Sequence, residues 1–254
     1  MKVAILCGGK GTRMKEITDD IPKPLALIGG KPILWHIMKI YSHYGFNDFV
    51  LLLGYKGEKI KEFFMDYEWK NHDFILNTSE RETTMLQKGE SWKIAFIDTG
   101  VDTMTGARIK RAQKYIGNET FMLTYGDGVA DIDIKALLNF HSKKERVATV
   151  TGIQKNSQYG TLEACNGLVK SFQEKTKSIG MINGGFFVFN KEIFDYLYED
   201  ERCVLEEEPL MNLSRDEELA VYEHNGFWTA MDTYKDILHV NELWDNHQSL
   251  WKVW

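Results

Sequence analysis

The chain has 254 residues, 43% hydrophobic and 13% aromatic, which is apolar surface enough for a buried core and excludes a disordered chain. Its 31 lysines and arginines against 37 aspartates and glutamates leave a net charge of −6. That excludes a general nucleic-acid binder, since phosphate-backbone binding needs a basic excess. An anionic small substrate stays open, because it requires only a local group of cations.

In chain order, the apolar run Lys2–Leu6 is short, bounded by glycines and apolar on consecutive positions, the pattern of a strand buried on both faces. Further strands are predicted at Phe49–Leu53, Ile94–Asp98, Phe121–Tyr125, Ala148–Gly152 and Gly185–Phe189. Helical periodicity falls between them at Pro32–Tyr44, Glu58–Trp69, Gly106–Tyr115 and Ile134–Lys144, and again at Thr233–Trp244. The polar stretch from Asn77 to Glu90 reads as a flap or hairpin. Strands alternating with helices predict crossover units and a mostly parallel α/β sheet. No linker or repeat splits the chain, so one domain over 1–254 is expected, with a second half from about residue 154 that elaborates the first.

Compartment follows from similar counting. The apolar run before Gly8 is shorter than the ~7–15 residues of a signal-peptide core, and no window reaches the ~18 apolar residues of a membrane span. Cys7, Cys165 and Cys203 lack CxxC or zinc spacing and read as buried, reduced thiols. A soluble, cytoplasmic protein is expected.

The strongest local signal is Leu6-Cys7-Gly8-Gly9-Lys10-Gly11-Thr12-Arg13-Met14, directly after the first strand. Three glycines in four positions let backbone N–H groups approach an anion, and a loop at the carboxyl end of a parallel strand lies where α/β folds bind ligands. A dinucleotide fingerprint fails, because Met14 stands at the third glycine position, and this excludes a nicotinamide-dependent reductase. No Walker A pattern is present either. Next comes Ile21-Pro22-Lys23-Pro24-Leu25, where two prolines hold a lysine in place. Residues 1–31 carry six cations (Lys2, Lys10, Arg13, Lys15, Lys23, Lys31) against three carboxylates (Glu16, Asp19, Asp20), so positive charge collects at the glycine loop of an acidic chain.

Gly8-Gly9-x-Gly11-Thr12-Arg13 followed by Pro22-Lys23-Pro24 resembles the signature of the sugar-1-phosphate nucleotidylyltransferases. Gly29-Gly30-Lys31-Pro32-Ile33-Leu34-Trp35-His36-Ile37-Met38, Gly54-Tyr55-Lys56-Gly57, Asp98-Thr99-Gly100, Thr124-Tyr125-Gly126-Asp127-Gly128-Val129, Ile182-Asn183-Gly184-Gly185-Phe186-Phe187-Val188, Met231-Asp232-Thr233 and Trp251-Lys252-Val253-Trp254 look like the glucose-1-phosphate cytidylyltransferase branch. The resemblance covers essentially the whole chain. It implies a single Rossmann-like nucleotidyltransferase domain with a mostly parallel, mixed sheet, residues 1–153 binding nucleotide and 154–254 binding acceptor and carrying oligomerisation elements. It also implies a trimer-based homo-oligomer.

The implied reaction is transfer of CMP from CTP to a phosphorylated small molecule, with release of pyrophosphate. The acceptor phosphate is already anionic, so neither a general base nor a covalent intermediate is needed; the protein must align two polyanions and neutralise the leaving group. By resemblance, Arg13 serves the triphosphate and Lys23 the α-phosphate. Leu6, Gly8, Gly9, Gly11, Thr12, Thr103, Arg108 and Gly126 surround the nucleotide. Gly160, Glu174, Lys175 and Asn183 meet the acceptor, and Asp127 and Asp232 hold Mg²⁺. Taken alone, Asp127 is a turn residue between glycines and Asp232 a helix cap; Thr103 and Arg108 alone are a helix-entry threonine and a solvated helix face.

Two motifs depart from the family. Glu174-Lys175-Thr176 stands where Glu-Lys-Pro is usual, and Trp228-Thr229-Ala230-Met231-Asp232-Thr233 where the branch carries Trp-Gln-Pro-Met-Asp-Thr. Both fall on the acceptor side. Glucose 1-phosphate, giving CDP-glucose for surface polysaccharide, is the default acceptor. The alternatives are a non-sugar phosphate such as phosphoglutamine, of capsular phosphoramidate pathways, or an inactive nucleotide sensor. Glu206-Glu207-Glu208 is an acidic first helical turn or a contact to a substrate hydroxyl. Trp244, Trp251 and Trp254 are core closure or a subunit interface, with the interface favoured.

Overall fold

A computed structural model describes residues 1–14, 20–154, 161–165, 168–173 and 181–254, with backbone alone for Arg13, 161–165 and 168–173. Seven strands form the central sheet among them: β1 (Lys2–Leu6), β2 (Asp48–Leu53), β3 (Lys93–Asp98), β4 (Phe121–Tyr125), β5 (Ala148–Gln154), β6 (Met181–Phe189) and β7 (Leu219–His224). Their spatial order is β7-β5-β6-β4-β1-β2-β3. Only β6 runs against its neighbours, so the sheet is mixed but mostly parallel. All six anticipated strands lie in it. The edge strand β7 is an addition; none of its residues is buried, and its apolar run is only four residues, Leu219–Tyr222, before Glu223 and His224.

β1 is apolar throughout because both of its faces are covered. Val3 and Ile5 point into one core with α1 (Ile33–His43), while Ala4 and Leu6 point into a second with α3 (Thr105–Arg111). Between those helices in the chain lies α2 (Gly57–Met65), and the predicted helix to Trp69 continues separately as Tyr67–Asn71. α4 (Ile134–Lys144) matches its expectation residue for residue and is capped by Asp133, whose side chain accepts from Ala136 N–H. The polar stretch after Asn77 belongs to a hairpin, Phe74–Asn77 paired with Glu82–Met85. Of the triple glutamate, only Glu208 lies in the first turn of α5 (Glu208–Arg215).

The last helix, α6 (Tyr234–Asp245), is latched to the turn after Lys23. Asn241 accepts from Gly29 N–H and donates to Leu27 O, each at 3.0 Å, and a Cβ on Gly29 would lie 2.1 Å from the Trp244 indole. Of the terminal tryptophans, Trp251 corrects the interface reading. Trp251 is fully buried in the core of its own chain, against Phe227, Trp244 and His36, and Trp254 packs on Trp35. His36 Nε2 pairs with Ile28 O at 2.9 Å, and burial pushes its pKa down to about 4. Among the described residues no helix is long and apolar enough to cross a membrane.

Candidate active site

β1 is flanked by β2 on one side and β4 on the other, so chain connections reverse direction between β1 and β4. This is the point where α/β sheets open a crevice at the carboxyl ends of their strands. The register sets Leu6 opposite Tyr125, and Gly126 N–H donates to Leu6 O at 3.0 Å. The glycine loop therefore lies beside the Gly126-Asp127-Gly128 turn. A cleft of about 340 Å³ opens there, lined by Gly8, Gly9, Gly11, Lys23, Asp127 and Asp232 among others. Gly11 has φ +60°, a left-handed conformation that favours glycine, and starts the short 3-10 turn Thr12–Met14. Gly9 has open space where a side chain would stand. The Cys7 thiol beneath the loop is fully buried, and burial followed by the Asp127 charge pushes its pKa far up, so it remains an inert thiol.

Lys23 is seated by a 3-10 turn, with Leu25 N–H on Pro22 O at 2.8 Å and Pro24 buried. Its ammonium lies 2.6 Å from Asp127 Oδ2 and 3.0 Å from Asp232 Oδ1. Two local features bring these distant carboxylates together. A small ribbon pairs Trp228–Ala230 with Gly128–Ala130, and Met231 N–H donates to Asp127 O at 2.9 Å. The helix-cap reading of Asp232 is resolved in favour of its neighbour. Thr233 is the cap of α6, in a reciprocal capping box with Asp236, which also accepts from Asp232 N–H at 3.1 Å. The Asp232 backbone is thereby fixed and its carboxylate turned to the cleft.

A model of the Nucleotidyl transferase family matches residues 2–250. The chain belongs to that family. It is 61% identical over 254 residues, all of both chains, to a probable glucose-1-phosphate cytidylyltransferase of Bacillus subtilis. It is 46% identical over 257 residues, again all of both chains, to the glucose-1-phosphate cytidylyltransferase of Salmonella typhimurium. In three dimensions it resembles HddC from Yersinia pseudotuberculosis, with a TM-score of 0.68 at 26% identity over 96% of this chain and 99% of that one. The protein is an enzyme of the nucleotidyltransferase type.

Other expected residues of this transferase stand as follows. Thr12 and Thr103 line the cleft, and Thr103 Oγ1 accepts from Arg111 at 2.6 Å. Leu6 also lines it, with its carbonyl already engaged by Gly126 N–H. Gly126 lines the cleft as well, and a Cβ there would meet Leu6 O at 2.7 Å, so the glycine also serves the packing of two strand ends. Arg108 is no solvated helix-face arginine. It is buried, and its guanidinium donates to Gly8 O, Leu53 O, Thr99 Oγ1, Gly100 O and Val101 O at 2.6–3.2 Å, with one edge on the cleft. Burial followed by the Arg111 charge lowers its pKa. Asn183, at the start of β6, donates to Tyr125 Oη at 3.2 Å. The side chain of Arg13, and Gly160, Glu174 and Lys175, lie outside the described residues. Sequence reading missed Tyr125 and Thr105 as cleft residues and Glu206 as their shared partner. Tyr125 ends a predicted strand beside the Asp127 turn, and that position was the available signal.

Proposed function

We propose that the protein transfers CMP from CTP to the phosphate of glucose 1-phosphate, giving CDP-glucose and pyrophosphate. The observation that carries this reading is the convergence of Lys23, Asp127 and Asp232 at the mouth of the glycine-loop cleft, in a chain so similar to two glucose-1-phosphate cytidylyltransferases. The residues fit a divalent cation. Two hard carboxylate donors already converge on one positive charge, and no described group of three or more His, Cys, Asp or Glu competes for the role. Asp127 and Asp232 would hold Mg²⁺, which when bound supplies charge neutralisation for the phosphates.

In this reading the first half of the chain holds the nucleotide and the second the acceptor. N–H groups around Gly8, Gly9 and Gly11 and the Arg13 guanidinium take the triphosphate. Lys23 gives up its two carboxylates and turns its ammonium to the α-phosphate, where negative charge grows as the acceptor oxygen attacks. Thr103, Arg108 and main-chain groups of the first loop surround the base. Glu174, Lys175, Gly160 and Asn183 meet glucose 1-phosphate. A cytoplasmic, trimer-based enzyme supplying surface-polysaccharide synthesis completes the proposal.

Pyrophosphate release with Mg²⁺ tests it, pairing CTP, UTP, dTTP and ATP with glucose 1-phosphate and with non-sugar phosphates such as phosphoglutamine. Release with CTP and glucose 1-phosphate is expected. Release only with another acceptor would reassign the acceptor side, where Thr176 and Thr229-Ala230 depart from the family. No release with any pair would point to a nucleotide sensor.

A further inference from the structure

The segment before α5 straps the N-terminal end of α3. Met104 N–H donates to Glu201 O at 2.7 Å, Ala107 N–H to Cys203 O at 3.1 Å, and Leu205 N–H to Thr105 Oγ1 at 2.9 Å. At the end of this strap, Glu206 divides its carboxylate. Oε2 accepts from the Thr105 hydroxyl at 2.6 Å, and Oε1 accepts from the Tyr125 hydroxyl. Tyr125 Oη in turn accepts from Asn183 Nδ2, whose amide is oriented by Gly185 N–H donating to Asn183 Oδ1 at 2.8 Å. One edge of the Tyr125 ring abuts Gly185, where a Cβ would stand 2.5 Å from Cδ2. Every proton in this row has one assignable direction. An ionised carboxylate can only accept, so Tyr125 donates to Glu206 and its oxygen keeps lone pairs for Asn183 and for the cleft.

We infer that Glu206 is a positioning residue: it fixes Tyr125 as a hydrogen-bond acceptor for a hydroxyl of the acceptor substrate, and ties it to the helix beside the nucleotide. The inference rests on the acceptor side proposed above. It replaces direct contact between the triple glutamate and a sugar hydroxyl with an action through Tyr125. Both Glu206 oxygens are already committed within the protein, while Tyr125 and Thr105 line the cleft.

Titration calorimetry with CDP and with CDP-glucose, both in Mg²⁺, tests this without turnover. The ratio of the two Kd values reads the glucose moiety alone. Loss of one such hydrogen bond should lower the ratio about tenfold in Y125F and in E206A. E206Q, whose amide oxygen still accepts from Tyr125, should keep the ratio within about threefold of wild type. Because Glu206 acts through Tyr125, the double variant E206A/Y125F should be no worse than Y125F. An unchanged ratio in E206A, or two losses that simply multiply in the double variant, overturns the role of Glu206. Should E206A fail to fold, E206D replaces it: its carboxylate is drawn back by one methylene and should lower the ratio, and an unchanged ratio overturns the role equally. A wild-type protein that binds CDP-glucose no more tightly than CDP overturns the acceptor assignment itself, a different failure.

Discussion

Substituting Gly8 with alanine should damage the fold chiefly through one side chain, the Arg108 guanidinium, which supplies the three nearest atoms to the new Cβ. A Cβ on Gly8 would lie 2.2 Å from Nη1 and 2.3 Å from Cζ of Arg108, so the guanidinium must leave its seat. Of its five acceptors, Gly8 O keeps Tyr55 N–H at 3.1 Å and Leu53 O keeps both the N–H and the hydroxyl of Thr99. Gly100 O and Val101 O lie near solvent and can be taken up by water. The cost is therefore that of the charge-assisted bonds themselves rather than of orphaned carbonyls, roughly 3 kcal/mol in total for Arg108→Ala and about 2 kcal/mol for Gly8→Ala. In the Arg108→Ala background, Gly8→Ala should be neutral to within ~0.5 kcal/mol, because the obstacle is gone. Gly54 supplies the control. Its Cβ would meet Arg108 Nη1 at 2.4 Å but also Gly100 O at 2.7 Å, and that backbone oxygen stays when Arg108 is removed. Urea unfolding of the single and double variants gives both cycles. Additivity of Gly8→Ala with Arg108→Ala, or equal rescue of Gly54→Ala, would refute this account of the loop.

Three further outcomes follow from the same geometry. Lys23→Ala should lower kcat by ~10²-fold or more with a smaller change in KM, since its contact strengthens as charge develops; steady-state pyrophosphate release that keeps wild-type turnover would remove Lys23 from the reaction. Gly9→Ala should leave the urea midpoint unchanged, because nothing stands within 4 Å of the new Cβ, yet weaken CTP binding if the loop cradles phosphate; intact binding by calorimetry would argue that the anion lies elsewhere. His36 has a folded pKa of about 4, below its unfolded value, so the unfolded chain takes up the proton first as pH falls. The stability it protects is fully present above the unfolded value of ~6.5 and drains toward pH 4, by up to about 3 kcal/mol. Urea midpoints at pH 7 and pH 5 should differ less in His36→Gln than in wild type, and equal differences would assign the acid sensitivity to other groups.

The parts of the molecule that were readable in advance are those where one local pattern has one physical cause. β1 is apolar on consecutive residues because both sheet faces are covered, and α4 shows its period and its Asp133 cap in eleven residues. What was not readable depends on partners far along the chain. The ribbon that brings Asp232 to Asp127 uses strands of three residues each, too short to leave a pattern. Arg108 looks like any helix-face arginine, because its partners are mainly carbonyls of two separate loops and of the end of β2, and carbonyls have no sequence signature. Trp251 is as apolar in a core as at an interface, so composition could not choose between them. Glu206 hides in a run of three acidic residues whose members do different work: it reaches a tyrosine, while Glu208 opens a helix.

The latch between α6 and the turn after Lys23 also bears on the order in which the protein becomes competent. Lys23 and Asp232 meet across 209 residues of chain, and the Asn241 amide that secures Leu27 and Gly29 lies later still. Contacts of such separation form only after a large loop has closed, so they come late in folding. β1, β2 and β3 can pair during synthesis from the first hundred residues, yet a chain stopped before residue 232 lacks the carboxylate that meets Lys23 beside Asp127. The candidate site is thus a report on the whole chain, complete only when its last helix has docked on one of its first turns.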